Sequence, residues 1–163
     1  MKPSSFIEIS FAPSLNLVSK VREFAAEVYD EMLHDAEIVS RLEIASHELL
    51  ENAVKHAGDR PTRMRIECRS EAQGPHLVIQ TWNEVTEHDY EELTGLIQTM
   101  NASSNPDAYY QTLMQRAAYR TSGSGLGLGR IWAEARMAIR CSREGSQVCV
   151  TAESIADANR LTG

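Results

Sequence analysis

Residues 46–57 read Ser46-His47-Glu48-Leu49-Leu50-Glu51-Asn52-Ala53-Val54-Lys55-His56-Ala57. Glu48, Asn52 and His56 recur every four residues, and Lys55 follows Glu48 by seven. At about 100° per residue these positions share one stripe of a helix. That stripe borders an apolar one made by Ile38, Leu42, Ala45, Leu49 and Ala53. A carboxylate, a carboxamide and a cation therefore line the rim of a core helix. Gly58-Asp59-Arg60-Pro61 then supplies the glycine-then-proline pattern that stops a helix. The donor set suits a metal–phosphate ligand. An Asn oxygen is a neutral donor for Mg²⁺. A Glu carboxylate can act as general base or orient a nucleophile. A Lys ammonium is a point charge for phosphate. A lone E-x-x-x-N is more often a solvated helix face, so a second signal is needed.

That signal lies downstream, in Gly123-Ser124-Gly125-Leu126-Gly127-Leu128-Gly129. Glycine lets backbone approach a ligand, and N–H groups at a helix start point at an anion. The run lacks the Lys-Ser/Thr ending of a P-loop and does not directly follow a strand, which argues against a dinucleotide turn. Residues 131–137 read as the helix after it.

The rest of the chain falls into place around these two segments. Phe6 to Phe11 alternates as a half-buried strand, and Ser14 caps a long helix. Leu17, Val21, Phe24, Val28 and Met32 form that helix's apolar stripe. The break at His34-Asp35 opens the helix of residues 46–57. Residues 62–82 alternate on both sides of Gln73-Gly74-Pro75 and predict a hairpin. Thr86 opens a helix whose stripe is Tyr90, Leu93, Ile97 and Met100, and Asn105-Pro106 starts another. Residues 138–142 and 147–151 predict a second hairpin around Glu144-Gly145, and the last twelve residues a weakly patterned tail. Strands grouped as one early strand and two hairpins point to an α+β fold. We expect a two-layer sandwich whose mostly antiparallel, mixed sheet carries helices on one face.

Composition narrows the function. The 163 residues suit a single domain, 1–163. Sixteen basic against 23 acidic residues give a net charge of −7, and the basic residues do not cluster, so no nucleic-acid polymer or anionic membrane is expected as partner. Any bound anion must be held by a local device. Three cysteines without C-x-x-C spacing fit a reducing compartment. The opening MKPSSFIEISFAPS has no apolar h-region, so a cytoplasmic protein is expected. His34, His47, His76 and His88 show no ligand spacing. Tyr109, Tyr110, Tyr119, Trp82 and Trp132 are expected to serve packing.

A helix reading E-x-x-x-N-A-x-K-H, roughly 70 residues before G-x-G-L-G-L, resembles the Bergerat-fold (GHKL) ATPases, the superfamily that includes gyrase and the histidine kinases. The resemblance covers residues 6–151 and extends to the element order. It is strongest to the small anti-sigma-factor serine kinases: a strand and a long helix precede the Glu48 helix, Glu48 stands where histidine kinases carry Asn, and His56-Ala57 resembles their motif ending. Lys55 is closer to the histidine-kinase pattern. No phosphoacceptor helix pair fits before residue 14.

The resemblance implies ATP and Mg²⁺ as ligands. It implies that Asn52 holds the metal, that Glu48 is the catalytic base or water-positioner for γ-phosphoryl transfer, and that Lys55 and His56 contact phosphates. Gly123, Gly125, Leu126, Gly127 and Leu128 would wrap the phosphates under a lid of residues 86–122. It implies a bacterial partner-switching kinase acting on a STAS-type antagonist or a sigma-factor-like protein, with homodimerisation by analogy. The chain departs from the superfamily at its D-x-G-x-G box. Asn83 stands where the adenine-reading Asp belongs, and Val85 replaces a glycine. Asn keeps an acceptor oxygen but forms a weaker, neutral pair. The alternative is therefore a degenerate module that regulates a partner by contact without catalysis. Transfer to a histidine on another protein is disfavoured by Glu48.

Overall fold

The computed structural model describes residues 5–72, 74–119 and 125–154. In chain order they form β1 (Ser5–Phe11), α1 (Leu15–Leu33), α2 (Ala36–His56), β2 (Thr62–Glu71), β3 (Gly74–Glu84), α3 (Glu87–Ala102), α4 (Pro106–Ala117), α5 (Leu126–Ala133), β4 (Met137–Glu144) and β5 (Gln147–Ser154). The strands make one sheet in the order β1-β2-β3-β5-β4. All four pairings are antiparallel, so the sheet is more regular than the mixed one expected.

Alternation along the strands decides which face is covered. Register puts Ile66 opposite Ile79, Ile79 opposite Ala152, and Ala152 opposite Ile139. These four side chains share one face and are buried. Helix α2 lays Leu42, Leu49 and Leu50 into the same core, α3 adds Ile97 and Met100, and α5 adds Leu128 and Ile131. Among the described residues the other face bears no helix. There the Arg63 guanidinium lies 4.1 Å from the Trp82 ring centre, and Arg65 lies 3.9 Å from that of Phe6. Glu67 sits between Arg69, 2.8 Å away, and Arg65, 3.4 Å away.

The helix boundaries follow local capping. The Asp35 carboxylate accepts from the backbone N–H groups of Glu37 and Ile38, Thr86 caps α3 through Asp89 N–H, and Asn105 caps α4 ahead of Pro106. Each satisfies donors that the first turn leaves unpaired.

Two expectations need correction. The stripe assigned to α1 is not its buried face: Leu17, Phe24 and Met32 are exposed, whereas Val18, Ala25 and Tyr29 are buried. Helix α1 packs on α2 instead of on the sheet. Small Ala25 fits that helix–helix contact, and the Tyr29 hydroxyl finds the Ser46 hydroxyl at 2.8 Å. Two adjacent apolar stripes look alike in sequence, and only the neighbour selects one. Secondly, the last helix begins at Leu126, inside the glycine run, and ends at Ala133. Gly125 is its N-cap at φ +63°, and Arg136 at φ +54° turns the chain into β4, so Met137 is a strand residue. Gly123 and the C-terminal tail lie outside the described residues.

Candidate functional site

Helices α2, α3, α4 and α5 and the sheet border a cavity of about 930 Å³. That is at the upper end of the range for small-molecule sites. Helix α2 contributes Glu48, Asn52, Lys55 and His56, at the four-residue spacing expected of one helix face. Strand β3 contributes Thr81 and Asn83, two residues apart and so on the same side of the strand, and β5 adds Val148 and Val150. The start of α5 supplies Gly125, Leu126, Gly127 and Leu128. Nine of the ten residues singled out in the sequence thus line one space. The tenth, Gly123, lies outside the described residues.

Glycine makes room where α5 meets α2. A Cβ on Gly127 would stand 2.6 Å from Glu48 Oε2 and 3.6 Å from Asn52 Nδ2. The absent side chain lets the Glu48 carboxylate lie against the glycine run. Glu48 is nearly withdrawn from water, with a side chain 12% exposed, and its other oxygen is 3.0 Å from Arg130 Nη1. A carboxylate so buried needs such a partner. Arg130 also donates from Nε to Glu134 at 2.9 Å. Its guanidinium is held protonated first by that hydrogen bond and then by Glu48.

Arg130 and Glu134 were not apparent as site residues. Their only sequence signal is a charged residue inside the apolar run LGLGRIWA with an acid four residues on. That reads as an ordinary helix-surface pair. The partner that matters is 82 residues away.

The other polar residues are less committed to the cavity. Lys55 is paired with Glu51 at 3.2 Å, and both are at the cavity wall. Asn83 is buried and donates a long 3.4 Å hydrogen bond to the Glu84 carbonyl. Val85 also faces the cavity and packs against the core.

The expected lid, residues 86–122, is largely helical in its described part. Leu93 and Leu96 of α3 and Tyr109, Tyr110 and Leu113 of α4 border the cavity. Both helices rest on glycines of the α5 segment. A Cβ on Gly125 would meet Leu96 Cδ2 at 2.5 Å, and one on Gly129 would meet Leu113 Cδ1 at 2.5 Å. Tyr109 meets Trp132 edge-on, with ring centres 5.8 Å apart. Tyr109 therefore packs as expected, Tyr110 borders the cavity, and Tyr119 is exposed.

The charges around the cavity bear on what it can hold. Carboxylates of Glu48, Glu51, Asp89, Glu92 and Glu134 outnumber the cations Lys55, Arg116 and Arg130. A bare triphosphate would be repelled here more strongly than one carrying a divalent cation, which cancels about half of its charge. The carboxamide of Asn52 and the cleared backbone at Gly127 are compatible with such a ligand. Among the described residues no group of three or more His, Cys, Asp or Glu forms a metal site on its own. No helix among them is long and apolar enough to cross a membrane.

Comparison with curated protein sequences returned no match. Among solved structures, the fold is similar to a chain in the crystal structure of the SiaB–SiaC complex from Pseudomonas aeruginosa. The TM-score is 0.61 at 14% identity, over 90% of this chain and 88% of that one. At that identity the likeness concerns the fold. The model of the histidine kinase-like ATPase domain matches residues 11–152, which run from the last residue of β1 into β5 and include every cavity-lining segment above. With a match over most of its length, the chain belongs to the histidine kinase-like ATPase domain family.

Proposed function

We propose that this domain binds MgATP in the α2–α5 cavity and works as a serine/threonine protein kinase of a bacterial partner-switching system. The observation that carries the reading is the juxtaposition of Glu48, Asn52 and Gly127, which come from segments about 75 residues apart. Bound MgATP would supply the transferable γ-phosphoryl group. Asn52 would offer its carboxamide oxygen to the metal, and the backbone from Gly123 to Leu128 would receive the phosphates. Lys55, released from Glu51, would add positive charge at the mouth, and His56 would contact the phosphates. Asn83 would accept from the adenine amine. Glu48 would take the proton of an acceptor hydroxyl, in keeping with general-base roles in phosphoryl transfer.

The phosphoacceptor would be a small STAS-type antagonist in the cytoplasm, a sigma-factor-like protein would be the alternative partner, and the domain would act as a homodimer. The similar fold found in the SiaB–SiaC complex, a structure of two proteins together, is in keeping with a protein partner. Incubation with MgATP and candidate antagonists tests the proposal. Phosphate should appear on a Ser or Thr of the partner and be abolished by Asn52→Ala. Transfer that survives Asn52→Ala would remove the role given to that residue.

One observation favours a second reading, a module that regulates by contact alone. Val85 fills part of the cavity next to Asn83, where related domains keep a glycine. Calorimetry with ATP and ADP in Mg²⁺ separates the two, since micromolar affinity is expected only of the kinase.

A further inference from the structure

We propose that Arg130 is the positioning residue for the Glu48 carboxylate, and that its hold depends on lid helix α4 being seated on α5. The inference rests on the reading of Glu48 as the base, and it adds a residue that the motif does not contain. Three contacts form a continuous chain. Arg130 Nη1 meets Glu48 Oε1 at 3.0 Å, while Gly127 closes the space beside Oε2. The carboxylate is thereby bounded on both oxygens, by a cation on one and by backbone on the other. Arg130 is itself oriented by its Nε contact to Glu134 at 2.9 Å. Helix α4 then packs on the same stretch of α5. Leu113 fills the notch at Gly129, a Cβ there would lie 3.4 Å from Tyr110 Cδ2, and Tyr109 abuts Trp132.

Tyr110 completes the link to the ion pair. Burial, with Glu134 nearby, pushes its hydroxyl up from the ordinary tyrosine value, so it stays a donor beside the Glu134 carboxylate. Lifting α4 would remove Leu113 and Tyr110 together and expose Arg130 and Glu134, already 39% and 41% exposed, more fully to water. There an ion pair holds its geometry weakly. Lid closure and base placement would thus be one event, which is how a closing lid can complete a catalytic site.

Arg130→Ala should lower kcat for phosphoryl transfer about 100-fold, the scale of a misplaced reacting group, with KM for MgATP changed less than about threefold. Arg130→Lys should recover at least about tenfold of that loss, because a point charge still reaches one carboxylate. A KM or calorimetric Kd that rises while kcat stands would make Arg130 a phosphate ligand and overturn the proposal. Unchanged kinetics would do the same. Gly129→Ala, which pushes on Leu113, should show the same kcat-selective loss together with a shift in Trp132 emission, read in a Trp82→Phe background. An emission shift with full kcat would refute the coupling to α4.

A double-mutant cycle of Glu48→Gln and Arg130→Ala on thermal unfolding needs no nucleotide. Non-additive effects are expected, and strict additivity would sink the pairing. If the wild-type protein neither binds MgATP nor transfers phosphate, the kinase reading fails by itself. The cycle then decides whether Arg130 holds Glu48.

Discussion

Replacing Gly127 by alanine separates the site's chemistry from the fold's stability. Gly127 is not at positive φ, so an alanine backbone fits there. A Cβ would sit 2.6 Å from Glu48 Oε2, whereas ordinary contact begins at 3.4 Å. The carboxylate must therefore retreat by about 0.8 Å, the difference of those two distances. The obstructing atom is the end of a flexible side chain, so the retreat is cheap in packing but moves Glu48 off its 3.0 Å contact with Arg130. Loss of that part-buried contact costs about 1–3 kcal/mol. Alanine in a helix returns about 1 kcal/mol relative to glycine.

The net destabilisation is then about 0–2 kcal/mol, which lowers Tm by no more than about 8 °C in a chain of this size. Catalysis should suffer far more, because misplacing a reacting group by about 1 Å can cost on the order of 100-fold. The assay pairs kcat for phosphoryl transfer with a thermal melt and a calorimetric MgATP titration. Full kcat in a folded Gly127→Ala protein would refute the reasoning, because it would mean that the placement of Glu48 does not matter. A Tm loss well beyond 10 °C would refute the packing argument.

Other outcomes follow from single contacts. Tyr29→Phe deletes the hydroxyl that reaches Ser46 at 2.8 Å and strands the buried Ser46 hydroxyl, so chemical denaturation should show a loss of about 1–3 kcal/mol with the fold retained. Val85→Gly clears space beside Asn83 and should tighten ATP binding in calorimetry; unchanged affinity would mean that Val85 does not crowd the base. The hydrogen bond from Arg69, against an opposing push from burial and with Arg65 adding to it, holds the Glu67 carboxyl below its ordinary value of 4.5. A lowered folded-state value means that the unfolded chain takes up the proton first. The stabilisation is therefore complete above about pH 4.5 and is lost as pH falls through the lowered value. Glu67→Gln should flatten that acid limb of a Tm–pH curve while lowering Tm near neutrality.

Much of this molecule is written locally. Asp35, Thr86 and Asn105 each cap a helix through a bond to an amide two or three residues away, so the starts of α2, α3 and α4 were legible from short patterns. The period-two runs made both hairpins readable, and the four-residue spacing on α2 already aligned Glu48, Asn52 and His56. What the chain could not declare was the choice of neighbour. On α1 two apolar stripes compete, and contact with α2 buries Val18, Ala25 and Tyr29 while leaving Phe24 in solvent. In the glycine run, the glycines signal close approach, but only the fold shows that Gly127 makes way for Glu48 and Gly129 for Leu113. Arg130 is the sharpest case. By sequence it is half of a surface pair with Glu134. Its bond to Glu48 spans 82 positions and exists because the sheet brings α5 against α2. Local periodicity and capping chemistry act over a turn or two of chain, so sequence alone determined the elements and their polar faces. Burial and ion pairing depend on which surfaces meet across the core, and the tertiary structure alone decided those.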